Sequence, residues 1–519
     1  MSQDDAKKND TLHIEAPELV QDTEFDKDQL EGLEVNEELQ RNLDVPEILR
    51  VYSDEELEAL DKRVTRKIDT RVLPILVWIY VLNYLDRNNI AASRLGGLEE
   101  DVGLHGNQYQ ICISVLFVGY ILMQIPANML LNRWGRPSRF ITLIMTSWAI
   151  VSTCTGAVQS FGGLLGVRII LGLVEAGFFG SALYYLSCWY TRKELSLRNA
   201  ILYSGSLLSG ALSGLIAAGI IDNMDGVRGM RSWRWLFIIE GSITCATVPL
   251  AYFILPDMPH NSKFLTEEER AMVLWKLRKE VGQDDSDKLN KESYSSTFLL
   301  AMKDIKVWSV TGILSFLVAA CGVTNFFPSV VETLNFNRVT TLGLTAPPYF
   351  IAVIATFLWA RHADKTGERF WHVVAPLFLS MLSFIIAVAT TNTGARYFAM
   401  CLMIPSLYCS FTTILSWMSN CVPRPPLKRA IAISTMNCLS NTTSIWNAYL
   451  YPASDAPRYL IAFICNIVFL CLAISIAIFL RVRLGLLNKR IENGTMNWEK
   501  ELGKGNDGSK VSPDFRFLV

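Results

Sequence analysis

The sequence predicts an all-α polytopic membrane protein with twelve transmembrane helices in two halves of six. Hydrophobic residues make up 51% of the 519 residues. They fall in long blocks of about 20 residues, the length that an α-helix needs to cross the hydrocarbon core of a bilayer. A polar stretch of about 50 residues, 256–305, separates the first six blocks from the last six. Two six-helix bundles joined by a polar loop are therefore expected.

Helix start signals and basic residues set the order and orientation of the spans. Ser53 with Glu56, and Thr266 with Glu269, match the capping-box pattern that opens a helix. The first such helix runs through a basic stretch into the first span, so the positive-inside rule places the N-terminus in the cytosol. An even number of spans then places both termini there. The predicted spans are 72–90, 107–131, 140–160, 163–189, 199–221, 234–255, 307–331, 341–360, 371–391, 396–421, 430–452 and 458–480.

Five segments follow from these patterns. Residues 1–52 are acidic and poor in aromatic residues, which is typical of a disordered tail, here cytosolic. Residues 53–255 form the first predicted bundle, 256–306 a cytosolic central loop, and 307–483 the second bundle. Residues 484–519 are predicted to be a cytosolic tail.

Composition excludes several other classes of protein. The formal net charge is −1, so no electrostatic argument favours a nucleic-acid partner. The eleven cysteines stand singly in apolar segments, and the five histidines are scattered. We therefore expect neither a disulfide framework, nor a metal site, nor a cofactor. The expected surroundings are the lipid bilayer, and the expected state is a monomer.

Two opposite charges lie inside one apolar segment. Arg168 and Glu175 are the only residues among Asp, Glu, Lys and Arg between Phe140 and Thr191. Ionisable residues inside a membrane span are costly and mark an ion or substrate path by default. The pair is seven residues apart, which places both on one helix face about 10 Å apart. Each needs a partner on another helix, and Asp86 with Arg87 in the first span is the candidate.

Two short basic turns with a glycine occupy corresponding places in the two halves. One follows the second span, with Asn132, Arg133, Gly135 and Arg136, and the other follows the eighth span, with Asp364, Gly367 and Arg369. Both turns resemble the loop signature of the major facilitator superfamily. That resemblance implies the major facilitator fold and a gating role for the turns.

Four further motifs stand in the first half: LNYLDRNNI at 82–90, GYILMQIP at 119–126, RIILGLVEAG at 168–177 and WRWLFIIEG at 233–241. They resemble motifs of the fungal anion:cation symporters, the allantoate permease group, and the resemblance covers residues 55–490. Three shorter stretches, NFFP at 325–328, TAPP at 345–348 and PRPP at 423–426, resemble the branch of nicotinic acid transporters.

The four charged residues suggest a coupling mechanism if they face one cavity. When Glu175 or Asp86 takes a proton, an arginine loses its counter-ion and can bind an organic carboxylate bidentately. In the symporters that the chain resembles, these positions have proton and anion roles. We predict Arg87 as the main carboxylate ligand, Glu175 as the principal proton acceptor, and Arg168 with Asp86 as a second coupled pair.

Structural roles remain open for the same residues. Asp86 and Arg87 would also suit an interfacial anchor at the outer end of the first span. Arg168 and Glu175 would also suit purely structural bridges between helices. Glu240, six residues after Arg234, is interpreted as a packing and loop anchor.

The second half offers aromatic and neutral polar side chains instead of charges. A flat aromatic acid held by an arginine on one side and by rings on the other would suit this division. Packing against other helices or facing lipid is an equally open interpretation for each residue. The predicted substrate contacts are Asn325, Phe326, Tyr349, Trp417, Asn437 and Asn441.

The resemblance implies proton-coupled uptake of a small organic carboxylate, with nicotinate as the first candidate. Pantothenate, biotin, allantoate, a dipeptide or a sulfonate are alternative substrates, and a non-transporting nutrient sensor is an alternative of another class. Protons and the anion are the expected partners. The plasma membrane is the expected location, with the endoplasmic reticulum or another internal membrane as the alternative.

Overall fold

The computed structural model describes residues 45–134, 136–285, 294–422, 426–496 and 516–518. All regular secondary structure in this part of the chain is helical, and nine of its helices are long and apolar enough to cross a membrane. Three further helices lie where spans 2, 3 and 11 are predicted, and they pack among the nine. The predicted class, a twelve-helix membrane bundle, is confirmed.

We number the twelve bundle helices α1 to α12 in chain order. Two shorter linker helices, Glu267–Asp285 and Tyr294–Met302, lie between α6 and α7. The end of the bundle beside them is called the linker end, and the opposite end is called the far end. The bundle helices are α1 Asp54–Leu95, α2 Gln108–Trp134, α3 Pro137–Thr155, α4 Phe161–Ser187, α5 Arg192–Asn223, α6 Ser232–Ile254, α7 Ile305–Glu332, α8 Arg338–Thr366, α9 Phe370–Ala389, α10 Thr393–Cys421, α11 Pro426–Asn447 and α12 Leu460–Glu492.

Both predicted capping boxes are present. The Ser53 hydroxyl accepts the backbone N–H of Glu56, whose carboxylate accepts the backbone N–H of Ser53 at 2.9 Å. Thr266 and Glu269 make the same reciprocal pair. The first box opens α1, in which the charged helix and the first span form one continuous helix of 42 residues.

The described residues of the two predicted tails include helical segments. Residues 1–44 lie outside the described residues, but Leu49 is fully buried in a short 3-10 turn that contacts the first linker helix. At the other end, α12 continues to Glu492, nine residues past the predicted bundle boundary at 483. Residues 516–518 pack against the second half. Leu49 and the last turns of α12 thus belong to the fold although they lie beyond residues 52 and 483, and the division into five segments remains a prediction.

Each half packs within itself, and a few helices join the halves. In the described residues, α5 contacts α8, α2 contacts α11, and the last turns of α7 contact α1. Glycines permit the α5–α8 contact: a Cβ atom on Gly210 would lie 2.5 Å from the ring of Tyr349, and one on Gly214 would lie 2.6 Å from the Leu342 carbonyl oxygen. These contacts hold the halves together toward the far end.

Ion pairs fix the first linker helix to the first half. Glu269 accepts from Lys67 at 2.6 Å. Lys276 bridges Asp61 of α1 and Glu194 of α5, at 2.7 Å to each. Burial raises the pKa of the Glu269 carboxyl, but hydrogen bonds from Lys67 and a backbone N–H outweigh it, so this pKa lies below its usual value. The linker is thus tied to both α1 and the start of α5.

Candidate substrate and proton site

A buried ion pair joins α1 to α4. Arg87 donates from Nε at 3.0 Å and from Nη2 at 2.7 Å to the same carboxylate oxygen of Glu175. The Glu175 side chain is fully buried and the Arg87 side chain is 13% exposed. The second carboxylate oxygen, Oε1, is buried without a hydrogen-bond partner among the described residues. The prediction that Glu175 finds its partner on the first span is confirmed.

Three aromatic rings surround the guanidinium of Arg87, and we call them the aromatic collar. Its carbon Cζ lies 5.1 Å from the ring centroid of Tyr84, 4.9 Å from that of Tyr120 and 6.0 Å from that of Phe117. An arginine within about 6 Å of an aromatic ring is attracted by the electrons of its face. The collar therefore stabilises the charge of Arg87 even when its carboxylate partner is absent.

Close contact between α2 and α4 places the collar beside Glu175. A Cβ atom on Gly119 would lie 2.6 Å from the Ile169 carbonyl oxygen. A Cβ atom on Gly172 would collide with the backbone of Leu116. Both positions therefore require glycine, which lets two helix backbones approach closely. Tyr120, next to Gly119, is thereby brought against the helix that carries Glu175.

Arg168 is a second buried cation with an unused donor. It is 2% exposed, and its Nε donates to the Cys112 carbonyl oxygen at 3.3 Å. Its Nη1 is buried without a hydrogen-bond partner in the described structure. Arg168 lies two helical turns from Glu175 toward the far end. The expected pairing with Asp86 does not form: no ion pair between them is present among the described residues.

Asp86 faces away from Arg87, which corrects the expectation of one four-charge cavity. Its carboxylate is fully buried and accepts from the hydroxyl of Ser152 on α3 at 2.6 Å and from that of Thr244 on α6 at 3.4 Å. Successive helix residues point about 100° apart because a turn contains 3.6 residues. Arg87 consequently reaches α4, whereas Asp86 points into the contact of α1 with α3 and α6.

Glu240 joins Asp86 in this contact, and we call the two residues the acidic pair. Glu240 is 1% exposed and accepts from the amide nitrogen of Asn89 at 2.6 Å. Its Oε1 has no partner among the described residues. The interpretation of Glu240 as a packing and loop anchor is confirmed for packing, since Glu240 is buried against Asn89 of α1. It is wrong for the loop, because Arg234 pairs with Asp101 at 2.9 Å.

In the second half, the predicted contact residues of α7 lie in a break of that helix. Asn325 and Phe326 belong to the 3-10 segment Gly322–Phe326, where Asn325 is half-buried. Phe326 is 1% exposed and stacks on Tyr451, with ring centroids 4.8 Å apart. Its ring is engaged in packing, so Asn325 is the better placed of the two for a ligand.

Tyr349 lies beside a small cavity between the halves. The cavity is lined by residues of α1, α5, α7 and α8, among them Asn88, Gly210 and Thr324. The Tyr349 ring meets Phe327 edge to face, with centroids 5.8 Å apart. Asn88 follows Arg87 directly in the sequence, so the cavity borders the turn of α1 that carries the ion pair.

Trp417 does not lie where the sequence suggests. It is fully buried near the C-terminal end of α10, at the linker end, and its indole N–H donates to the Leu518 carbonyl oxygen at 3.2 Å. Its predicted substrate contact is therefore corrected: the ring is covered by the end of the chain.

Asn437 and Asn441 lie half-buried on α11, which packs against α2 and α7. The Asn441 amide nitrogen donates to the Asn437 carbonyl oxygen at 2.8 Å. Polar residues of this kind explain why α11 is less apolar than most of the other bundle helices. A substrate contact by either residue remains a prediction.

The turn after α8 has a defined geometry. Gly367 closes α8 with φ of 70°, a left-handed conformation that favours glycine. Arg369 pairs with Asp364 across the turn at 2.7 Å.

The equivalent turn after α2 is described only in part. Gly135 lies outside the described residues, and so does the side chain of Asn132. Arg133 and Arg136 are exposed. The gating role of both turns remains a prediction.

The fold and the buried charges define a class, membrane transport proteins built from two six-helix halves. The sequence pattern of the Major Facilitator Superfamily matches residues 76–445 of the chain. The chain belongs to this superfamily, whose members are transporters and not enzymes.

Similar proteins agree with this assignment. The chain is 31% identical over 484 residues to "Major facilitator-type transporter hxnP" of Emericella nidulans, covering 90% of this chain and 95% of the relative. It is 30% identical over 385 residues to "Putative tartrate transporter" of Agrobacterium vitis, covering 74% and 86%. Among solved structures, the inward-facing, unoccupied bacterial homologue of human Spinster gives a TM-score of 0.62 at 17% identity, covering 79% of this chain and 96% of that one.

Sequence reasoning missed the aromatic collar and the place of Glu240. Tyr84 stands three residues before Arg87, a spacing that puts both on one helix face. Tyr120 lies in the motif at 119–126, so its presence was visible but its proximity to Arg87 was not. No sequence signal indicated that Glu240 and Asp86 share one helix contact.

Proposed function

We propose that the protein is a proton-coupled secondary active transporter that imports a small organic carboxylate, first of all nicotinate, by alternating access. We also propose that it belongs to the fungal anion:cation symporters, in the branch that resembles nicotinic acid transporters. The observation that carries the proposal is the buried Arg87–Glu175 pair inside the aromatic collar. The motifs of the first and fourth spans support it, as does a relative whose name refers to tartrate, a carboxylate.

The ion pair couples binding of a proton to binding of the substrate. With Glu175 ionised, the pair is neutral and Arg87 is occupied. A proton on Glu175 removes the counter-ion, and a buried arginine without one is strongly unfavourable. A substrate carboxylate then restores neutrality through two parallel N–H···O bonds. Proton and anion consequently bind together, and one proton with one monoanion crosses the membrane without net charge.

The collar and Arg168 favour an aromatic acid. The aromatic ring of a substrate can pack on the faces of Tyr84, Phe117 and Tyr120, beside the guanidinium of Arg87. Arg168 carries a buried donor that has no partner among the described residues, so it is proposed to bind a second acceptor of the substrate or the ring nitrogen of a pyridine carboxylate. From the second half, Tyr349 and Asn325 are proposed to close the site when the halves meet.

Asp86 is assigned a secondary role. Because its carboxylate accepts from two hydroxyl groups and pairs with no arginine in the described structure, its protonation would free no carboxylate ligand. We therefore propose Glu175 as the proton site that is coupled to the anion, with the acidic pair holding α1 against α3 and α6.

Asp86→Asn distinguishes these two candidates for the proton site. We expect the KM for labelled nicotinate to stay within about two-fold of wild type, because the described hydrogen bonds of the Asp86 carboxylate go to Ser152 and Thr244 and not to Arg87. The maximal rate is expected to fall, because the hydrogen bonds from Ser152 and Thr244 weaken. Uptake kinetics at two external pH values check this. A large rise in KM, with loss of uphill accumulation, would instead assign the proton to Asp86.

The substrate is tested by a competition panel. Cells that lack their own permease and express this chain are given labelled nicotinate with an excess of one competitor. The competitors are nicotinamide, pantothenate, biotin, allantoate, a dipeptide and an alkyl sulfonate. The proposal is supported if unlabelled nicotinate reduces the uptake of labelled nicotinate and the other competitors do not. Uptake at the level of the empty vector contradicts it, and another labelled competitor that accumulates would replace nicotinate as substrate.

We propose the plasma membrane as the location, with the linker end in the cytosol. The basic residues near that end support this orientation under the positive-inside rule. A sensor without transport activity is the alternative from another class, and it would bind nicotinate without accumulating it.

A further inference from the structure

The last described residues of the chain return to the bundle. Residues 516–518 lie against the linker end of the second half, after a segment, 497–515, that is outside the described residues. Phe517 is 4% exposed and belongs to the main hydrophobic core. Phe517 follows a polar stretch of the sequence, so its burial requires contacts that hold it in place.

Asn488 of α12 binds the backbone of Phe517 at two points. Its amide nitrogen donates to the Phe517 carbonyl oxygen at 2.9 Å. Its amide oxygen accepts the Phe517 backbone N–H, also at 2.9 Å. One side chain thus satisfies both polar groups of a residue whose own side chain enters the core.

Two further helices contact the same segment. Trp417, near the end of α10, donates its indole N–H to the Leu518 carbonyl oxygen at 3.2 Å. Lys306, at the start of α7, places its ammonium 4.9 Å from the centroid of the Phe517 ring. Arg516 also lies 3.6 Å from Glu492, the last residue of α12. The segment therefore joins α7, α10 and α12 at one place.

The groups that hold the segment are built into the fold. Trp417 is fully buried, so its N–H would lack a partner if Leu518 were removed, and buried polar groups are normally hydrogen-bonded. Lys306 is itself fixed by Asp304, which also pairs with Lys428 at 2.8 Å. These contacts bind an aromatic segment. They lie on helices of the second half, whereas Arg87 and Glu175 of the candidate site lie on α1 and α4 of the first half.

We propose that residues 516–518 are an intramolecular ligand that latches α7, α10 and α12 at the linker end. Alternating access rearranges the halves around the substrate site. The segment ties three helices of the second half, so the latch restrains any step of the cycle in which α7, α10 and α12 separate at the linker end. Phe517 is its anchor, and release of the latch speeds such a step.

Hydrogen exchange in the full-length protein tests the docking. Phe517→Ala is expected to accelerate amide exchange about ten-fold or more at the end of α10 and along the last turns of α12, with α1 to α6 unchanged, because local opening rises when anchoring contacts are lost. Leu518→Ala is the matched control and should exchange like the wild type, because alanine keeps the backbone carbonyl oxygen that accepts from Trp417. Asn488→Ala removes both backbone bonds from the helix side and should reproduce the effect of Phe517→Ala. Equal exchange in Phe517→Ala and wild type would overturn the latch.

Uptake tests the restraint, and this arm alone depends on the proposed function. Phe517→Ala and Asn488→Ala are expected to raise the initial rate of labelled nicotinate uptake about two-fold or more per molecule at the membrane, with an unchanged KM. Faster exchange with unchanged or lower uptake would overturn the restraint. No nicotinate uptake by the wild type would contradict the proposed substrate but not the docking, which exchange measures without any substrate.

Discussion

Glu175→Gln is expected to abolish uphill accumulation of nicotinate while leaving exchange across the membrane. Glutamine fills nearly the same volume but is neutral at every pH, so Arg87 lacks its counter-ion permanently and binding of the anion is no longer coupled to binding of a proton. Net uptake against a gradient should fall at least ten-fold, to the level seen with a protonophore. Counterflow of labelled substrate into vesicles preloaded with unlabelled substrate should persist, because it needs no net proton movement.

The matched control is Glu58→Gln, which changes an exposed carboxylate that pairs with Lys62 on the same helix. It should transport like the wild type, since exposed ion pairs contribute little. Both variants and the wild type are measured in standard and in acidified medium. Uptake by the wild type is expected to rise in acidified medium, because protonation of Glu175 is required for the anion to bind. Accumulation by Glu175→Gln that remains sensitive to a protonophore would remove Glu175 from the coupling mechanism.

Arg87→Lys is expected to weaken substrate binding strongly although the positive charge remains. Lysine cannot present two parallel N–H donors to a carboxylate, and its compact ammonium packs less well inside the aromatic collar. Loss of one charge-assisted hydrogen bond corresponds to about 1.5–3 kcal/mol. We therefore expect the KM for nicotinate to rise roughly 10- to 100-fold, as measured by initial uptake rates over a wide substrate range.

Two comparisons separate this effect from a folding defect. Arg63→Lys changes an arginine whose side chain is 66% exposed at the linker end, and it should leave the KM unchanged. Nicotinamide has no carboxylate, so any weak inhibition by it should be the same in Arg87→Lys and wild type. A wild-type KM for nicotinate in Arg87→Lys would show that Arg87 is not the carboxylate ligand. An equal reduction of inhibition by unlabelled nicotinate and by nicotinamide would show the same.

Local patterns predicted the elements of the fold. The apolar blocks placed twelve helices, although their ends shifted by several residues. Ser53 and Thr266 marked two helix starts because a capping box uses only residues three apart. The requirement that Glu175 find a cation on another helix pointed to Arg87, since few charges were available inside the apolar segments.

The predictions of which neighbouring helix a side chain faces were wrong for several residues, because the sequence does not show how helices are rotated relative to one another. Asp86 and Arg87 are adjacent, yet one reaches α6 and the other α4. Trp417 was expected in the substrate path from its place in an apolar span, but it sits under Leu518, which is 101 residues away in the sequence. Such contacts depend on how helices rotate and end relative to one another.

The sequence by itself determined the membrane class, the number and order of the spans, the helix caps and the charged residues that must be paired inside the bilayer. Those properties follow from hydrophobicity, from short-range hydrogen bonding and from the cost of burying charge, all of which act along a single segment. Only the tertiary structure decided that Arg87 lies within a collar of three rings, that Asp86 shares its helix contact with Glu240, and that Phe517 is buried beside α12. Each of these depends on close packing between helices, where backbone contacts such as those at Gly119 and Gly172 set which side chains meet.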